Sequence, residues 1–163
     1  TCLRYLPELG LEEVDRTVTE HLADPGRRLG QQRLAAELTL LVHGPEGLAI
    51  AQRATRIFFG GEIEQLSDAQ LNQIFADVPS RQLGRERLAG EGLALVDGLV
   101  ESGLAKTKGE ARRLLGQGGV YVNNRRAASA DVRLTGADLA SETMIVLRSG
   151  KKNYALLRFP LDG

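Results

Sequence analysis

Residues 95–123, LVDGLVESGLAKTKGEARRLLGQGGVYVN, decide the fold of this chain. The apolar residues from Leu95 to Val100 have helical spacing, and Ser102-Gly103 predicts the end of that helix. Thr107-Lys108-Gly109-Glu110 is a capping-box sequence, in which the first and last side chains can satisfy exposed backbone donors. It predicts a second helix, whose apolar stripe is Ala111, Leu114 and Leu115. That stripe requires a core to pack against.

The apolar period changes to two after these helices. Val120-Tyr121-Val122 predicts a strand, and Asn123-Asn124 suits a tight turn with positive φ. Two more strands are predicted at 144–148 and 153–159, joined across Ser149-Gly150. The second half is therefore predicted to be α+β, with two helices packed on a small antiparallel sheet.

Helical patterns separated by turn signals fill the first half. The helical spacing of residues 11–22 stops before Asp24-Pro25-Gly26, and two further helices are separated at Gly44-Pro45. Ser67-Asp68-Ala69-Gln70 is a capping box that predicts the start of a short fourth helix. These patterns predict a small helical bundle over residues 1–80.

Periodicity fades between Val78 and Gly92, where glycines and Pro79 lie among charged residues. We therefore expect a linker at 81–92 between the helical domain at 1–80 and a second domain at 93–163. The chain starts at Thr1, not at a methionine, and we expect it to be a piece of a longer protein.

The charges are distributed unevenly along the chain. Residues 1–87 hold 10 Lys and Arg against 13 Asp and Glu, or net −3, and residues 88–163 hold 11 against 8, or net +3. From Lys106 to Arg126 there are 6 basic residues against the single acid Glu110, and residues 148–158 hold 4 basic residues and no acid. Such a local excess indicates a polyanion-binding surface, with a solvated surface as the alternative.

The residues of an ordinary catalytic or metal site are not assembled in this sequence. Cys2 is the single cysteine, and no Cys/His cluster has zinc spacing. His43 precedes Gly44 at a predicted helix end, where imidazole can interact with the last carbonyls. Gly116-Gln117-Gly118-Gly119 precedes a strand and does not open a helix, so it is a turn and not a phosphate loop. We expect no catalytic residue, no metal, no cofactor and no membrane span.

Lysine and arginine suit RNA because they neutralise phosphates, and arginine can donate to two phosphate oxygens at once. Tyr121 and the amides of Asn123 and Asn124 can stack on or hydrogen-bond to bases or ribose, although a strand tyrosine is equally suited to a core. The few aromatic residues, three Tyr and four Phe, argue against a multi-base stacking platform. Recognition of RNA backbone and shape fits this composition better.

The segment 95–123 resembles the αL-type RNA-binding module named after ribosomal protein S-four. The first half, from Asp24-Pro25 through Gly44-Pro45 to Leu48, resembles the helical anticodon-binding domain of bacterial tyrosyl-tRNA synthetases, and Arg148–Tyr154 resembles the final hairpin of that family. The family's HIGH and KMSKS signatures, which belong to its catalytic domain, are missing. The resemblance covers nearly the whole chain and implies a C-terminal fragment of such an enzyme.

The resemblance implies a tRNA-binding fragment without chemistry of its own. It would hold the anticodon stem-loop and the long variable arm of tyrosine tRNA. The parent would be a cytoplasmic ligase that uses ATP and Mg and dimerises through its catalytic domain, whereas the fragment would be monomeric. The implied RNA-binding residues are Lys106, Lys108, Arg112, Arg113, Tyr121, Asn123, Asn124, Arg125, Arg126, Lys151 and Lys152. Arg27, Arg28 and Arg33 are weaker candidates, because Arg33 can instead pair with Glu37 at i, i+4.

Two other functions remain open at this point. The same module also fits a stand-alone RNA-binding or ribosome-associated protein. A protein–protein adaptor, whose basic face meets an acidic partner, is the third interpretation.

Overall fold

The structure is a computed structural model that describes residues 9–63 and 66–161. Cys2 lies outside the described residues. The chain divides into two compact units, Thr1–Arg53 and Ala54–Gly163, which are described separately.

The first unit is helical, as the sequence predicted. Helix α1 is Leu11–Ala23, a 3-10 turn covers Pro25–Arg27, and the long helix α2 is Leu29–Phe58, whose last residues belong to the second unit. Gly44 interrupts α2 with φ 70° and ψ −177°, a conformation that essentially only glycine adopts. Pro45 follows this break and suits the first turn of the next helical segment. The predicted separation at Gly44-Pro45 is therefore present as a kink within one long helix.

Helix α2 is long and apolar enough to cross a membrane by those two criteria alone. The stretch Pro25–Phe58 reaches a hydropathy of 1.2 in an 18-residue window. Core helices of soluble proteins meet the same criteria, although no part of this window is buried among the described residues. The kink at Gly44 and the carboxylates of Glu37 and Glu46 lie within this stretch. The expectation of no membrane span stays a prediction.

A five-stranded sheet organises the second unit, in the order β1-β7-β6-β3-β4. The strands are β1 Ser80–Gln82, β3 Val120–Val122, β4 Arg125–Arg126, β6 Met144–Ser149 and β7 Asn153–Arg158. β1 pairs with β7 in parallel, and the other pairs are antiparallel. A second, two-stranded sheet joins β2 Leu93–Ala94 to β5 Arg133–Leu134. The α+β class is confirmed.

Both faces of the five-stranded sheet are covered. Helices α4 Leu95–Glu101 and α5 Lys108–Gly116 lie over one face, where Leu99 and Ala111 pack with Ile145, Leu147 and Leu157. On the other face, the end of α2 and the helix α3 Asp68–Ile74 pack on Val146 and Leu156 through Ile57, Leu71 and Phe75. Successive strand residues point to opposite faces, which places Ile145 and Val146 in different cores.

The surroundings of α3 and the structure of residues 81–92 differ from those predicted. The predicted fourth helix, α3, packs on the sheet of the second unit and belongs to that unit, not to the helical first unit. The stretch 81–92 is structured, because it contains most of β1, a 3-10 turn at Arg85–Leu88, and the buried side chains of Leu83 and Leu88. All three side chains of β1 are exposed, so the strand has no apolar alternation that could reveal it.

The predicted caps and turns are present. Ser67 Oγ accepts a hydrogen bond from Gln70 N, and Gln70 Oε1 accepts one from Ser67 N, which completes the capping box of α3. Thr107 Oγ1 accepts from Glu110 N at 3.1 Å, but the Glu110 carboxylate accepts from Lys106 N at 2.8 Å, one residue before the predicted donor. Asn123 and Asn124 have φ of 49° and 65°, as the tight turn requires.

Candidate nucleic-acid interface

The exposed flank of α5 presents cations to solvent. Lys106, Arg112 and Arg113 are exposed, and neither arginine forms an ion pair with a carboxylate in the described part of the chain. Lys108 is also exposed, but its Nζ lies 2.7 Å from Asp97 Oδ1 on α4. Helix α5 is fixed to the core by Ala111 and Leu115, so the flank is a rigid basic surface.

The turn between β3 and β4 uses its side chains inside the fold. Asn123 donates from Nδ2 to Asp138 O at 2.6 Å and accepts at Oδ1 from Val146 N at 2.9 Å. Asn124 is buried and donates from Nδ2 to the carbonyl oxygens of Ile57 and Gly61, each at 2.8 Å. Both side-chain amides already form hydrogen bonds within the fold, so the proposed binding surface does not include Asn123 and Asn124.

The two arginines that follow this turn differ in their surroundings. Arg125 Nη2 lies 3.2 Å from Glu62 Oε2, with both side chains about 60% exposed. The Arg126 guanidinium lies against the backbone of Gly118, where φ is 67° and an added Cβ would overlap it. Glycine at 118 therefore gives Arg126 its place beside the turn between α5 and β3.

Tyr121 lies half-buried in the sheet beneath an arginine. The Arg148 Cζ is 3.8 Å from the centroid of the Tyr121 ring, and the two residues are directly opposite on β3 and β6. One face of the ring is thus occupied by a cation and cannot stack on a base. Arg148 is 9% exposed, and its Nε finds no acceptor among the described residues.

Lys151 and Lys152 are exposed in the turn between β6 and β7, beside a groove. The groove has a volume of about 590 Å³ and is lined by Phe58, Phe59, Arg148, Lys151, Lys152 and Tyr154. We call it the Phe59 groove. The sequence analysis did not name Phe59 or Arg148 as candidate site residues. Phe59 follows the last residue of α2, and Arg148 was counted among the basic residues and within the segment that resembles the hairpin.

The three candidate arginines of the first unit differ in whether a carboxylate is paired with them. Arg27 and Arg28 are exposed, and Arg28 has a φ of 53° at the end of the 3-10 turn. Arg33 Nη2 lies 2.8 Å from Glu13 Oε1 and 2.9 Å from Glu37 Oε1. The pairing of Arg33 with Glu37, considered from the sequence, is therefore present, and it leaves Arg33 a weaker candidate than Arg27 and Arg28.

Comparison with known proteins assigns the family. Residues 70–157, more than half of the chain, match the family described as the tyrosine-tRNA ligase SYY-like C-terminal domain. The chain is 49% identical over 157 residues to a tyrosine-tRNA ligase of Rhodopirellula baltica and 42% identical over 156 residues to one of Roseiflexus castenholzii. Each match covers 96% of this chain, which spans only 36% and 37% of those two relatives.

The solution structure of a tyrosyl-tRNA synthetase C-terminal domain is 35% identical to this chain. It superposes with a TM-score of 0.48 and covers 61% of this chain and 96% of its own. The family match over residues 70–157 takes in α4, α5 and all but the last residue of the five-stranded sheet. The chain therefore belongs to the family of tyrosine-tRNA ligase SYY-like C-terminal domains.

Proposed function

We propose that this chain is the tRNA-binding C-terminal region of a tyrosine-tRNA ligase and that it binds tyrosine tRNA through the basic flank of α5. The observation that carries the proposal is the pair Arg112 and Arg113, exposed and without an ion pair to a described carboxylate. A surface whose arginines are not already neutralised can exchange the counterions of an RNA backbone for direct phosphate contacts. The family match and the names of the two relatives support the choice of RNA.

The proposed binding surface consists of cations from three parts of the second unit. Arg112 and Arg113 each offer the planar fork that donates to two phosphate oxygens, and Lys106 adds a point charge at the start of the helix. Arg126 extends this surface at the turn beside Gly118. Lys108 and Arg125 lie on it with their charges partly offset by Asp97 and Glu62. Lys151 and Lys152 form a separate part, at the Phe59 groove.

The wider assignment rests on the relatives. The chain would be part of a longer protein, the parent. That parent would activate tyrosine with ATP and Mg and transfer it to tRNA in the cytoplasm. The parent would be a homodimer through its catalytic domain. The division of the chain into a helical domain and an RNA-binding domain also stays a proposal, without an unstructured linker at 81–92. The relatives favour this function over a ribosome-associated one.

Binding of the 163-residue chain to a tyrosine tRNA transcript tests the proposal. We expect affinity in the micromolar range that falls steeply between about 50 and 200 mM salt, because each neutralised phosphate releases counterions. A transcript lacking the long variable arm is the matched RNA control and should bind more weakly. Binding that ignores both salt and the variable arm would reject the proposal. A steep salt dependence with equal affinity for both transcripts would favour a general RNA-binding function.

A further inference from the structure

The Phe59 groove combines an exposed aromatic ring with three cations. Phe59 is 89% exposed, whereas its neighbour Phe58 packs edge-on against Phe75 and Tyr154. Among the described residues, Phe59 makes no ring contact of this kind. An apolar ring so fully presented to solvent is available to a ligand.

Phe59 is held rigidly although its ring is exposed. Its N–H donates to Thr55 O at 3.0 Å, and the N–H groups of Gly60 and Gly61 donate to Ile57 O and Arg56 O. These bonds, with those from Asn124, fix the end of α2 on the sheet. A ring on a fixed backbone loses little conformational freedom on binding, which favours stacking.

Arg148 gives the groove a cation that lacks an anionic partner among the described residues. Its side chain is 9% exposed, and no described acceptor reaches its Nε. Burial of a guanidinium without a carboxylate is costly unless some other group compensates the charge. Tyr121 and Tyr154, with ring centroids 3.8 and 5.8 Å from Cζ, offset part of the cost through their π-electrons. An anion in the groove would offset the remainder.

The described lining of the groove contains no acid that could take this role. Its lining has three cations, Arg148, Lys151 and Lys152, and its remaining residues are aromatic. The volume of about 590 Å³ falls within the roughly 300–1,000 Å³ of small-ligand sites. A ligand that fits must therefore be anionic at one end and planar and apolar at the other.

We propose that the Phe59 groove binds one unpaired nucleotide of an RNA chain, with its base stacked on Phe59 and its phosphate beside Arg148, Lys151 and Lys152. A nucleotide has both required ends, and every base has a face that stacks on an aromatic ring. The proposal rests on the proposed function for its ligand class, RNA. It adds a single-strand site at the hairpin end of the sheet, whereas the flank of α5 fits phosphates of any helical RNA.

Fluorescence of a single-stranded RNA hexamer with a central 2-aminopurine tests this site in the 163-residue chain. We expect the probe fluorescence to change on binding and the Phe59→Ala variant to bind it roughly 5- to 150-fold more weakly, the range for loss of one stacked base. The slope of log K against log salt should stay unchanged, because no phosphate contact is lost. The double variant Lys151→Ala/Lys152→Ala should instead reduce that slope by about 1.4, or 0.7 for each single-strand phosphate contact.

Three controls make the result specific. Phe59→Tyr should retain the affinity of the parent chain, and Leu161→Ala, which removes an apolar side chain 61% exposed in the same unit, should have no effect. The Phe59→Ala substitution should weaken binding of a blunt RNA hairpin closed by a short loop less than it weakens binding of the hexamer. Circular-dichroism melting of each variant confirms that the fold is kept.

Equal hexamer affinity for Phe59→Ala and the parent chain would overturn this site while leaving the proposed function intact, provided that tyrosine tRNA still binds. Competition by free AMP at equal concentration would also overturn it, since the occupant would then be a free nucleotide. Failure of the parent chain to bind either RNA would overturn both proposals.

Discussion

The Asn124 side chain donates a 2.8 Å hydrogen bond to the carbonyl oxygen of Ile57, near the end of α2. A second bond from the same amide nitrogen reaches Gly61 O. The last carbonyl groups of a helix have no partner within it, and here a residue of the β3–β4 turn supplies one. Asn124 also has the positive φ of that turn, so one side chain fixes both the turn and the helix end.

Asn124→Gly should lower the free energy of unfolding by about 1–3 kcal/mol, because Gly61 O loses the side-chain donor and Ile57 O keeps only the bonds from Gly60 N and Tyr154 Oη. Glycine keeps the φ of 65° without strain, so backbone strain at the turn does not add to the loss. Urea denaturation followed by circular dichroism gives the value. Asn153→Ala, which changes an exposed asparagine, should stay within about 0.5 kcal/mol. A similar loss in both variants would contradict the capping role.

Arg112→Ala combined with Arg113→Ala should weaken binding to tyrosine tRNA and lower its salt slope by about one unit for each lost phosphate contact. Arg81→Ala is the matched control, since Arg81 is an exposed arginine on β1, at the opposite edge of the sheet from β4. Filter binding over a salt series measures both slopes. An unchanged slope in the double variant would assign these arginines to an inert surface.

Asp97→Asn should strengthen RNA binding by at most about fivefold, because it releases Lys108 from an exposed ion pair worth roughly 0.2–1 kcal/mol. The salt slope should become steeper, since Lys108 would then neutralise a phosphate. Glu142→Gln removes an exposed carboxylate that has no ion pair with a described cation and serves as the control. Weaker binding by Asp97→Asn would show that the pair positions Lys108 for RNA.

Asp68 should make the free energy of unfolding depend on pH in the acidic range. Burial alone would raise the pKa of its carboxyl, but hydrogen bonds from Ser141 and Thr143, with the charge of Arg158, hold that pKa below its ordinary 3.8. The carboxylate is therefore stabilised in the folded state above about pH 4, and this contribution is lost as pH falls through the lowered pKa.

Chemical denaturation at pH 7 and at successively lower pH tests the role of Asp68. The stability difference between the parent chain and Asp68→Asn should be largest near neutrality and shrink in acid. Asp77→Asn, at an exposed position, should follow the parent chain throughout. A difference that does not change with pH would exclude the proposed acid linkage.

The sequence patterns that predicted structure correctly are local ones. The capping residue Thr107, the turn at Asn123-Asn124 and the hairpin across Gly150 each act within a few residues, so their signals survive in the linear sequence. The parallel pairing of Ser80 with Leu156 joins distant segments, and no spacing in the chain encodes it.

The candidate site was predicted less completely, for a related reason. Charge density identified the flank of α5, because exposed cations on one helix are close in sequence. The roles of Asn123 and Asn124 depend on Asp138 and Ile57, which lie 15 and 67 residues away. Phe59 and Lys152 likewise line the same groove only because the fold brings distant segments together. Sequence therefore indicates which residue types are present, and tertiary contacts decide which of them remain available.

Arg126, Tyr121, Arg148 and Tyr154 lie side by side on four neighbouring strands, so cations and rings alternate across the sheet. A guanidinium balanced by a ring has no salt bridge to break when a phosphate approaches. The orientation of Arg148 is already set by folding, which leaves little reorganisation energy to the encounter. At this end of the sheet, preorganisation of the cation, and not the number of charges, would determine how readily an RNA phosphate is accepted.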